Sequence, residues 1–586
     1  MALTGGRYAD KKAIDVLLTT EGTYPVARGG VGTWCDTLIR GVPGVNYSVY
    51  VVMAHPYLPD RYKIPSGVSV LRVPMWGTEE PTEHLDVPFS EIYERKLRTT
   101  PSVLTADFLP MVDSFMTDLW NPDPDGHRLG QTMFSMYRWF KIHDYMEAMK
   151  SREVWDFFIR GLREERWNKF PSPPTLTDCV QSMGWLYRFF VVLTTPVPLA
   201  DVTHSSAAAF SGLPGVLAKL DRKTPYLLSE HGVYLREQYL SVGKSKMTAY
   251  AKQFLIGLVR GTVTANYAHA DVVAPVAAFN ARWERRFGVP EDKIRVIYNG
   301  VDPNAFKPRP RPENTVPTVV TLARIDPLKD ILTLIRSAAY VRERMPEAKF
   351  VVYGGVSVPS YYRECLELRD QLGLQESFIF AGHVDDAPSA YASGDLVVLS
   401  SVSEGFPYTV VEAMMSGRAV VATDVGGTRE ACAGAGLLVE PGNHAEMGEA
   451  ILRLLHDPAL RASLAAEARE RALAYFTIQQ NLNLYRKAYE DLAQPEEVSV
   501  DVSKFIGRRR MLALVRARAL QAIGRNAEAI REYRVAVDLA PTDATAPALL
   551  LTIAELYLSR GEIQRSWQEM ERAEALAAAI RQRRAG

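Results

Sequence analysis

Cysteine is scarce in this sequence. Its four cysteines, at positions 35, 179, 365 and 432, are far apart in 586 residues, and no two form a Cys-x-x-Cys pair. None has a histidine at metal-ligand spacing, so the sequence suggests neither a disulfide framework nor a zinc site. We therefore expect a reducing compartment and no bound metal.

Long hydrophobic runs and net charge are absent as well. No stretch approaches the roughly 18 to 20 apolar residues of a membrane helix, and Asp15 interrupts the first apolar run, which argues against a signal peptide. We expect a cytoplasmic protein. The 68 Lys and Arg balance the 68 Asp and Glu, so no global charge attracts nucleic acid or an anionic membrane, and any polyanion site must be local.

What the sequence does contain is an ordinary globular composition, 47% hydrophobic and 23% charged, at a length that suggests several domains. In two stretches, short apolar runs alternate with helical periodicity, which predicts an α/β protein with two doubly wound parallel sheets. The strands predicted for residues 1–294 are Ala13–Thr20, Tyr47–Ala54, Val68–Val73, Asp201–His204, Tyr226–Ser229 and Asp271–Pro275. Those predicted for residues 295–476 are Arg295–Tyr298, Thr318–Leu322, Lys349–Tyr353, Ser377–Ala381, Asp395–Ser400, Ala419–Thr423 and Gly436–Val439.

An aromatic segment interrupts the first stretch. Residues 76–195 hold six of the nine tryptophans, which favours a helical insertion whose aromatic side chains form a small core of its own and dock it on the sheet. The alternative is that a few of them line an acceptor groove by stacking on sugar rings. Pro308–Pro317 connects the two stretches and is typical of a stiff interdomain hinge.

The end of the chain is organised differently. A helix is predicted over residues 477–494, followed by a linker at 495–506 and an all-helical unit at 507–586 with an internal repeat. Gly524 is followed by Ala529, Tyr533, Ala536 and Pro541, and Gly561 is followed by Ser566, Met570 and Ala573 at the same offsets. This resembles the tetratricopeptide pattern, with fewer copies than such arrays usually need, so we expect the unit to rest on the preceding domain or a partner. The arginines at its start predict a solvated helix face, with a phosphate or lipid patch as the alternative.

Two candidate site features follow strands of the first stretch. Gly29 and Gly30 open a helix just after the first strand, and a helix N-terminus reached through a glycine turn favours binding of an anion. His231 lies just past another strand end, where open sheets bind their ligands. A tight turn and a structural histidine are the plain alternatives.

Cations and carboxylates follow strands of the second stretch. Arg324 and Lys329 at a helix start can form a cradle for a diphosphate, since cations without such a role are unfavourable there. Glu404 and Glu412 lie at a strand end and about two helical turns later, a spacing suited to gripping sugar hydroxyls and a ribose diol. Gly405, Phe406 and Pro407 between them allow close approach of the backbone.

Taken together, these motifs and Asn299–Asp302 resemble the retaining glycosyltransferases of family four, which have the GT-B fold: two Rossmann-like domains facing a cleft. Glu21–Pro25, Gly29–Val31 and Glu230–Tyr234 are more specifically similar to the PelF group of that family, the cytosolic transferases of Pel exopolysaccharide synthesis, which use UDP-glucose. The resemblance implies an acceptor-side domain at 1–294, a nucleotide-sugar-binding domain at 295–476, and a helix at 477–494 that crosses back to the first domain. The helical repeat is a departure from the family.

The resemblance also implies roles for the site residues. Arg324 and Lys329 would bind the donor diphosphate, Glu412 the ribose, and Glu404 the hexose hydroxyls with help from the backbone of residues 405–407. His231 would face the reacting sugar from the first domain. Transfer would retain the anomeric configuration and need neither a metal nor a cofactor.

The expected partners are a UDP-sugar donor, UDP-glucose above all, and a glycan acceptor, with no nucleic acid. The helical repeat would recruit a protein, such as a membrane polysaccharide-export complex. A family-four transferase with another nucleotide sugar or a lipid-linked acceptor is the first alternative, and a catalytically weak scaffold is the second.

Overall fold

The computed structural model describes residues 13–77, 87–164, 167, 173–311, 316–494, 502–540 and 543–585. The chain divides into two compact units, Met1–Gln494 and Pro495–Gly586. Within the described residues, every helix is too short or too polar to cross a lipid bilayer.

The first unit opens with a parallel sheet of six strands in the order β3-β2-β1-β4-β5-β6. The strands are β1 Ile14–Glu21, β2 Val45–Met53, β3 Ser69–Pro74, β4 Val202–Ser205, β5 Tyr226–Glu230 and β6 Val272–Pro275. Both faces are covered, so β4, β5 and β6 are buried along their whole length and read in the sequence as continuous apolar runs. The prediction of this sheet is confirmed.

The helices of this domain include those of the aromatic segment, α2 to α9, between β3 and β4. They are α1 Gly30–Gly41, α2 Phe89–Arg98, α3 Pro101–Val103, α4 Leu109–Trp120, α5 Gly126–Phe140, α6 Tyr145–Met149, α7 Arg152–Arg163, α8 Leu176–Phe189, α9 Val191–Thr194, α10 Leu213–Arg222, α11 Tyr234–Lys244, α12 Ala249–His269 and α13 Ala278–Arg286. Trp120, Trp139 and Trp167 are buried in a cluster that also contains Leu17 and Tyr50 of the sheet. The aromatic segment therefore packs on the sheet as predicted, but its core is continuous with that of the sheet and not a separate one.

A second parallel sheet of six strands follows, in the order β12-β11-β10-β7-β8-β9. Its strands are β7 Thr318–Leu322, β8 Lys349–Tyr353, β9 Phe378–Gly382, β10 Leu396–Leu399, β11 Ala419–Thr423 and β12 Leu437–Val439. Its helices, with one more after them, are α14 Ile331–Arg342, α15 Pro359–Gln371, α16 Ala387–Ala392, α17 Tyr408–Met415, α18 Thr428–Cys432, α19 His444–His456, α20 Pro458–Tyr475 and α21 Ile478–Ala493.

One predicted strand is wrong. Residues 295–298 form no strand, although Arg295 and Ile297 donate backbone hydrogen bonds to the carbonyls of Val273 and Pro275. The segment runs beside the edge strand β6 and forms only these two backbone hydrogen bonds with it among the described residues, too few for an assigned β-strand. Its apolar alternation reflects burial against that edge.

Helix α21 returns to the first sheet. Leu482, Tyr485 and Tyr489 on this helix are buried in one cluster with residues of β1 and β2. The Tyr489 hydroxyl lies 2.7 Å from Nδ1 of the buried His204 on β4, and the Tyr485 hydroxyl lies 3.0 Å from Ser229 Oγ on β5. These hydrogen bonds connect α21, the last helix of the first unit, to β4 and β5 of the first sheet.

The second unit, taken by itself, is helical. Its described helices are α22 Val502–Ala522, α23 Asn526–Leu539, α24 Ala546–Leu558 and α25 Ile563–Ala585. Gly524 and Gly561 have φ angles of 77° and 76°, a left-handed conformation that glycine adopts without strain, and each lies in the tight turn that follows a helix. Small side chains such as Ala529 and Ala536 are fully buried.

Candidate functional site

The glycine turn after β1 opens α1 as the sequence predicts. Gly29 is the N-cap of α1 and Gly30 its first residue, so no side chain lies over the first amides of the helix. A Cβ on Gly30 would lie 3.6 Å from the ring of Tyr408, which belongs to α17 of the second domain. The start of α1 thus faces helix α17 of the second domain, and the first N–H groups of α1, which have no partner within the helix, can bind a ligand there.

Arg324 and Lys329 lie on the opposite wall, in the loop after β7. The Lys329 ammonium forms an ion pair of 2.6 Å with Glu404, and Ser401 Oγ donates to the same carboxylate oxygen at 2.6 Å. Arg324 is exposed and its Nη1 lies 3.5 Å from Ser357 Oγ. Lys329 therefore already contacts a carboxylate of the site, an ion pair that the sequence analysis did not predict, whereas Arg324 is available to an anion.

Glu404 and Glu412 occupy the loop after β10 and the helix α17 that follows it. The Tyr391 hydroxyl donates a 2.7 Å hydrogen bond to Glu412, and burial raises the pKa of this carboxyl group although the tyrosine opposes the shift. Tyr391 has no local sequence signal that would have paired it with Glu412. The pair holds the carboxylate at a fixed position on the wall of the site.

His231 lies just past β5, with its ring against Trp34 at a centroid distance of 4.5 Å. Its Nε2 is buried and has no hydrogen-bond partner among the residues that the structure describes. Burial lowers the pKa of His231 to about 3, so its ring is neutral near pH 7. A neutral imidazole can donate or accept one hydrogen bond at this nitrogen, but it carries no charge.

Gly405 brings the two domains into contact at this histidine. A Cβ on Gly405 would lie 1.8 Å from the carbonyl oxygen of His231, far inside van der Waals distance. Arg236, from the first domain, donates a 2.8 Å hydrogen bond to Ser403 Oγ beside it. Only glycine fits between these two backbones.

All ten residues singled out in the sequence line one cleft of about 610 Å³ between the sheets. They are Gly29, Gly30, His231, Arg324, Lys329, Glu404, Gly405, Phe406, Pro407 and Glu412. Asn299, from the Asn299–Asp302 motif, also lines the cleft, and sequence reasoning did not select several further lining residues: Tyr353, Gly354, His383, Val384 and Thr409. Tyr353 ends β8 and His383 follows β9, so the rule that ligands bind past strand ends would have found both.

A smaller pocket of about 290 Å³ adjoins the cleft on the side of the first domain and shares His231 with it. Glu21 lines this pocket, accepts a 3.0 Å hydrogen bond from Tyr234, and has a pKa that burial raises. Thr23, Ser206 and Glu237 add further hydroxyl and carboxylate groups. The pocket is rich in hydrogen-bond acceptors, which suits a polyhydroxy ligand.

Comparison with known families gives two matches. Residues 14–292 match a family described as a domain of unknown function, DUF3492, and residues 316–457 match the family described as glycosyl transferases group 1. The Arg324, Lys329, Glu404 and Glu412 positions all fall within the second match.

Individual relatives agree with the second match. An uncharacterised glycosyltransferase of Methanocaldococcus jannaschii is 30% identical over 224 residues, which cover 35% of this chain and 56% of that protein. D-inositol 3-phosphate glycosyltransferase of Salinispora arenicola is 33% identical over 231 residues, covering 35% and 51%. The chain thus spans about half the length of these curated relatives.

Solved structures confirm the predicted fold. Sucrose-phosphate synthase from Thermosynechococcus elongatus aligns with a TM-score of 0.52 at 19% identity, covering 82% of this chain and 99% of that one. Anabaena HepE in complex with UDP and glucose aligns with a TM-score of 0.50 at 17% identity, covering 81% and 99%. Residues 316–457 therefore form a domain of the glycosyl transferases group 1 family, within a unit that has the GT-B-like α/β fold.

Proposed function

We propose that this chain is a retaining, metal-independent glycosyltransferase that moves glucose from UDP-glucose to a glycan acceptor in exopolysaccharide synthesis, as a member of the PelF group. One observation carries the proposal: the uncapped start of α1 and the cation Arg324 face each other across the cleft that also contains Lys329, Glu404 and Glu412. A nucleoside diphosphate sugar offers the anion and the hydroxyls that such a set binds.

The diphosphate and the ribose of the donor each have suitable binding groups in the cleft. Arg324 and Lys329 neutralise the diphosphate as it departs, and the amides at the start of α1 add the helix dipole to that stabilisation. The carboxylate of Glu412, fixed by Tyr391, accepts hydrogen bonds from the ribose diol. The complex of Anabaena HepE with UDP and glucose supports a donor of this class.

The reaction proceeds on the face of the sugar from which the diphosphate leaves. A phosphate oxygen takes the proton of the acceptor hydroxyl, the new glycosidic bond forms as the bond to the diphosphate breaks, and the configuration is retained. His231 contributes one hydrogen bond from a neutral ring, and Glu404 binds sugar hydroxyls beside it. Contact between the two domains at Gly405 excludes water from the reacting carbon.

The smaller pocket, next to His231, would take the acceptor sugar. Its carboxylates and hydroxyls suit a ligand rich in hydroxyl donors. A polysaccharide acceptor and a protein partner for the tetratricopeptide-like unit, such as an export complex, complete the proposal.

The test is to incubate the full chain with a panel of nucleotide sugars and measure release of nucleoside diphosphate. UDP-glucose should give the highest rate, the rate should survive a chelator, and proton NMR of the product should show an α linkage. A higher rate with another nucleotide sugar would favour the first alternative, a transferase with a different donor. No release with any donor, in a protein that also fails to bind UDP, would favour a scaffold.

A further inference from the structure

Helix α22, the first of the second unit, packs on its neighbours through one side. Ala513 and Ala517 are buried there, and Arg510 on the same side forms an ion pair of 2.9 Å with Asp543. Arg510 also donates a 2.7 Å hydrogen bond to Thr545, just before α24. This side is fully engaged within the unit.

The opposite side of α22 exposes large apolar side chains. Met511, Leu512 and Val515 are 67%, 55% and 61% exposed, and Ile523, one residue beyond the helix, is 68% exposed. With 3.6 residues per turn these four side chains fall within one arc of about 120°. Ala519 falls in the same arc. These five residues form an apolar stripe that is continuous along the helix.

Arginines border this stripe on both edges. Arg518 lies beside Met511 at one edge, and Arg509 and Arg516 lie beside Leu512 at the other, all three exposed. Within the described part of the chain, no carboxylate lies at ion-pair distance from any of the three. Their charges are therefore free to meet an anionic surface.

The positive charge of the unit is concentrated in α22. Residues 502–522 contain six Lys and Arg and no Asp or Glu, whereas residues 526–585 contain nine Asp and Glu and eight Arg and are nearly neutral. Although the net charge of the whole chain is zero, α22 is cationic and apolar on the same side. The lack of acidic residues distinguishes α22 from α2, which also exposes large apolar side chains but contains Glu91 and Glu94.

We propose that α22 binds an anionic lipid bilayer, lying in the plane of the interface. The apolar arc enters the boundary between headgroups and acyl chains, and the arginines on both edges reach lipid phosphates at the same depth. A flat interface is the partner that can satisfy both edges of the stripe at once. Because one helix is short and its apolar area is small, binding is reversible and weakens with salt.

The experiment uses the full chain in vesicle co-sedimentation, with phosphatidylcholine alone and with phosphatidylcholine mixed with phosphatidylglycerol. We expect binding to the mixed vesicles only, decreasing as salt is raised. Leu512→Gln/Val515→Gln and Arg509→Gln/Arg516→Gln should each lower the partition coefficient at least about tenfold. The matched control, Leu551→Gln/Leu558→Gln, removes exposed apolar side chains from α24 and should bind as the unaltered protein does.

Several results would overturn the proposal: equal binding to both kinds of vesicle, no binding to either, or variants that bind like the control. Sedimentation equilibrium tests whether the apolar side of α22 binds a second copy of this chain instead of a membrane. A dimer that the Leu512→Gln/Val515→Gln variant abolishes, with vesicle binding unchanged, would assign the stripe to self-association. Circular dichroism verifies that each variant is folded. If Leu512→Gln/Val515→Gln does not fold, vesicle binding by Arg509→Gln/Arg516→Gln tests the proposal. None of these readouts depends on the proposed transferase activity.

Discussion

Lys329 has two possible roles that a single substitution cannot separate, since it contacts Glu404 and lines the cleft where a diphosphate would lie. Lys329→Ala should weaken UDP binding by about 1.5 to 3 kcal/mol, the value of a hydrogen bond to a charged group. Isothermal calorimetry measures this, with Lys349→Ala on an exposed strand end as the control.

The double variant Lys329→Ala/Glu404→Gln separates the two roles. If Lys329 binds the diphosphate directly, the double variant should bind UDP as poorly as Lys329→Ala. Full recovery of affinity would mean that the lysine only neutralises Glu404, and the assignment to the diphosphate would be wrong.

Glu404 should matter more for turnover than for nucleotide affinity. Its proposed contacts are with the transferred sugar, where they strengthen as positive charge develops, so Glu404→Gln should lower kcat roughly ten- to a hundredfold. Steady-state rates of UDP release and UDP affinity by calorimetry give the comparison. Losses of the same size in both quantities would contradict the assignment.

Buried acids in the first domain make stability depend on pH. Both carboxylate oxygens of Glu284 lack a hydrogen-bond partner among the described residues, and burial, with the charge of Glu230 nearby, raises the pKa of Glu284 to about 9. The folded protein keeps this proton while the unfolded chain loses it above about pH 4.5. This contribution to the free energy of unfolding is therefore complete at low pH and is lost as pH rises toward 9.

Glu284→Gln removes that dependence because an amide does not ionise. The fall in unfolding free energy between pH 5 and pH 8 should be smaller in the variant by about 1 to 3 kcal/mol. Urea unfolding at the two pH values measures it, and Glu376→Gln, at an exposed position, is the control. An unchanged fall would show that Glu284 is ionised in the folded state.

At the scale of elements, the loop between β10 and α17 depends on Gly405. A Cβ there would overlap the carbonyl oxygen of His231, so Gly405→Ala should separate the two domains locally and lower kcat/KM by at least about tenfold. Gly184→Ala, on α8 where a Cβ meets no atom within 4 Å, is the control. Normal activity in Gly405→Ala would mean that the closed contact is not the active arrangement.

The sequence was most informative about the elements that carry the site. Buried parallel strands are continuous apolar runs, and the side chains that line the cleft follow their carboxyl ends, so both the sheets and the cleft residues could be predicted. The strand predicted at residues 295–298 is wrong because burial beside an edge strand produces the same apolar pattern as pairing in a β-sheet. The Tyr391–Glu412 pair and the isolation of Glu284 depend on contacts between distant segments, which leave no local pattern.

At the scale of the whole molecule, the division after Gln494 separates two kinds of structure. Helix α21 belongs to the first unit, because Tyr489 and Tyr485 bond to buried polar groups of β4 and β5. The described residues that line the cleft, from Gly29 to Glu412, belong to the first unit. The proposed catalytic role and the proposed localising role thus belong to different parts of the chain.

A chain that stops after Gln494 should therefore keep nucleotide-sugar hydrolysis within about twofold, since α21 and every cleft residue remain. Polymer output in cells should fall severalfold, because the proposed recruiting surfaces are lost and the effective concentration of enzyme at the export site drops. A chain that stops after Thr477 also lacks α21 and should lose hydrolysis, as the buried His204 then loses its tyrosine partner. If the longer truncated protein is soluble and folded yet inactive in vitro, the second unit is part of the catalytic body and its recruiting role is wrong.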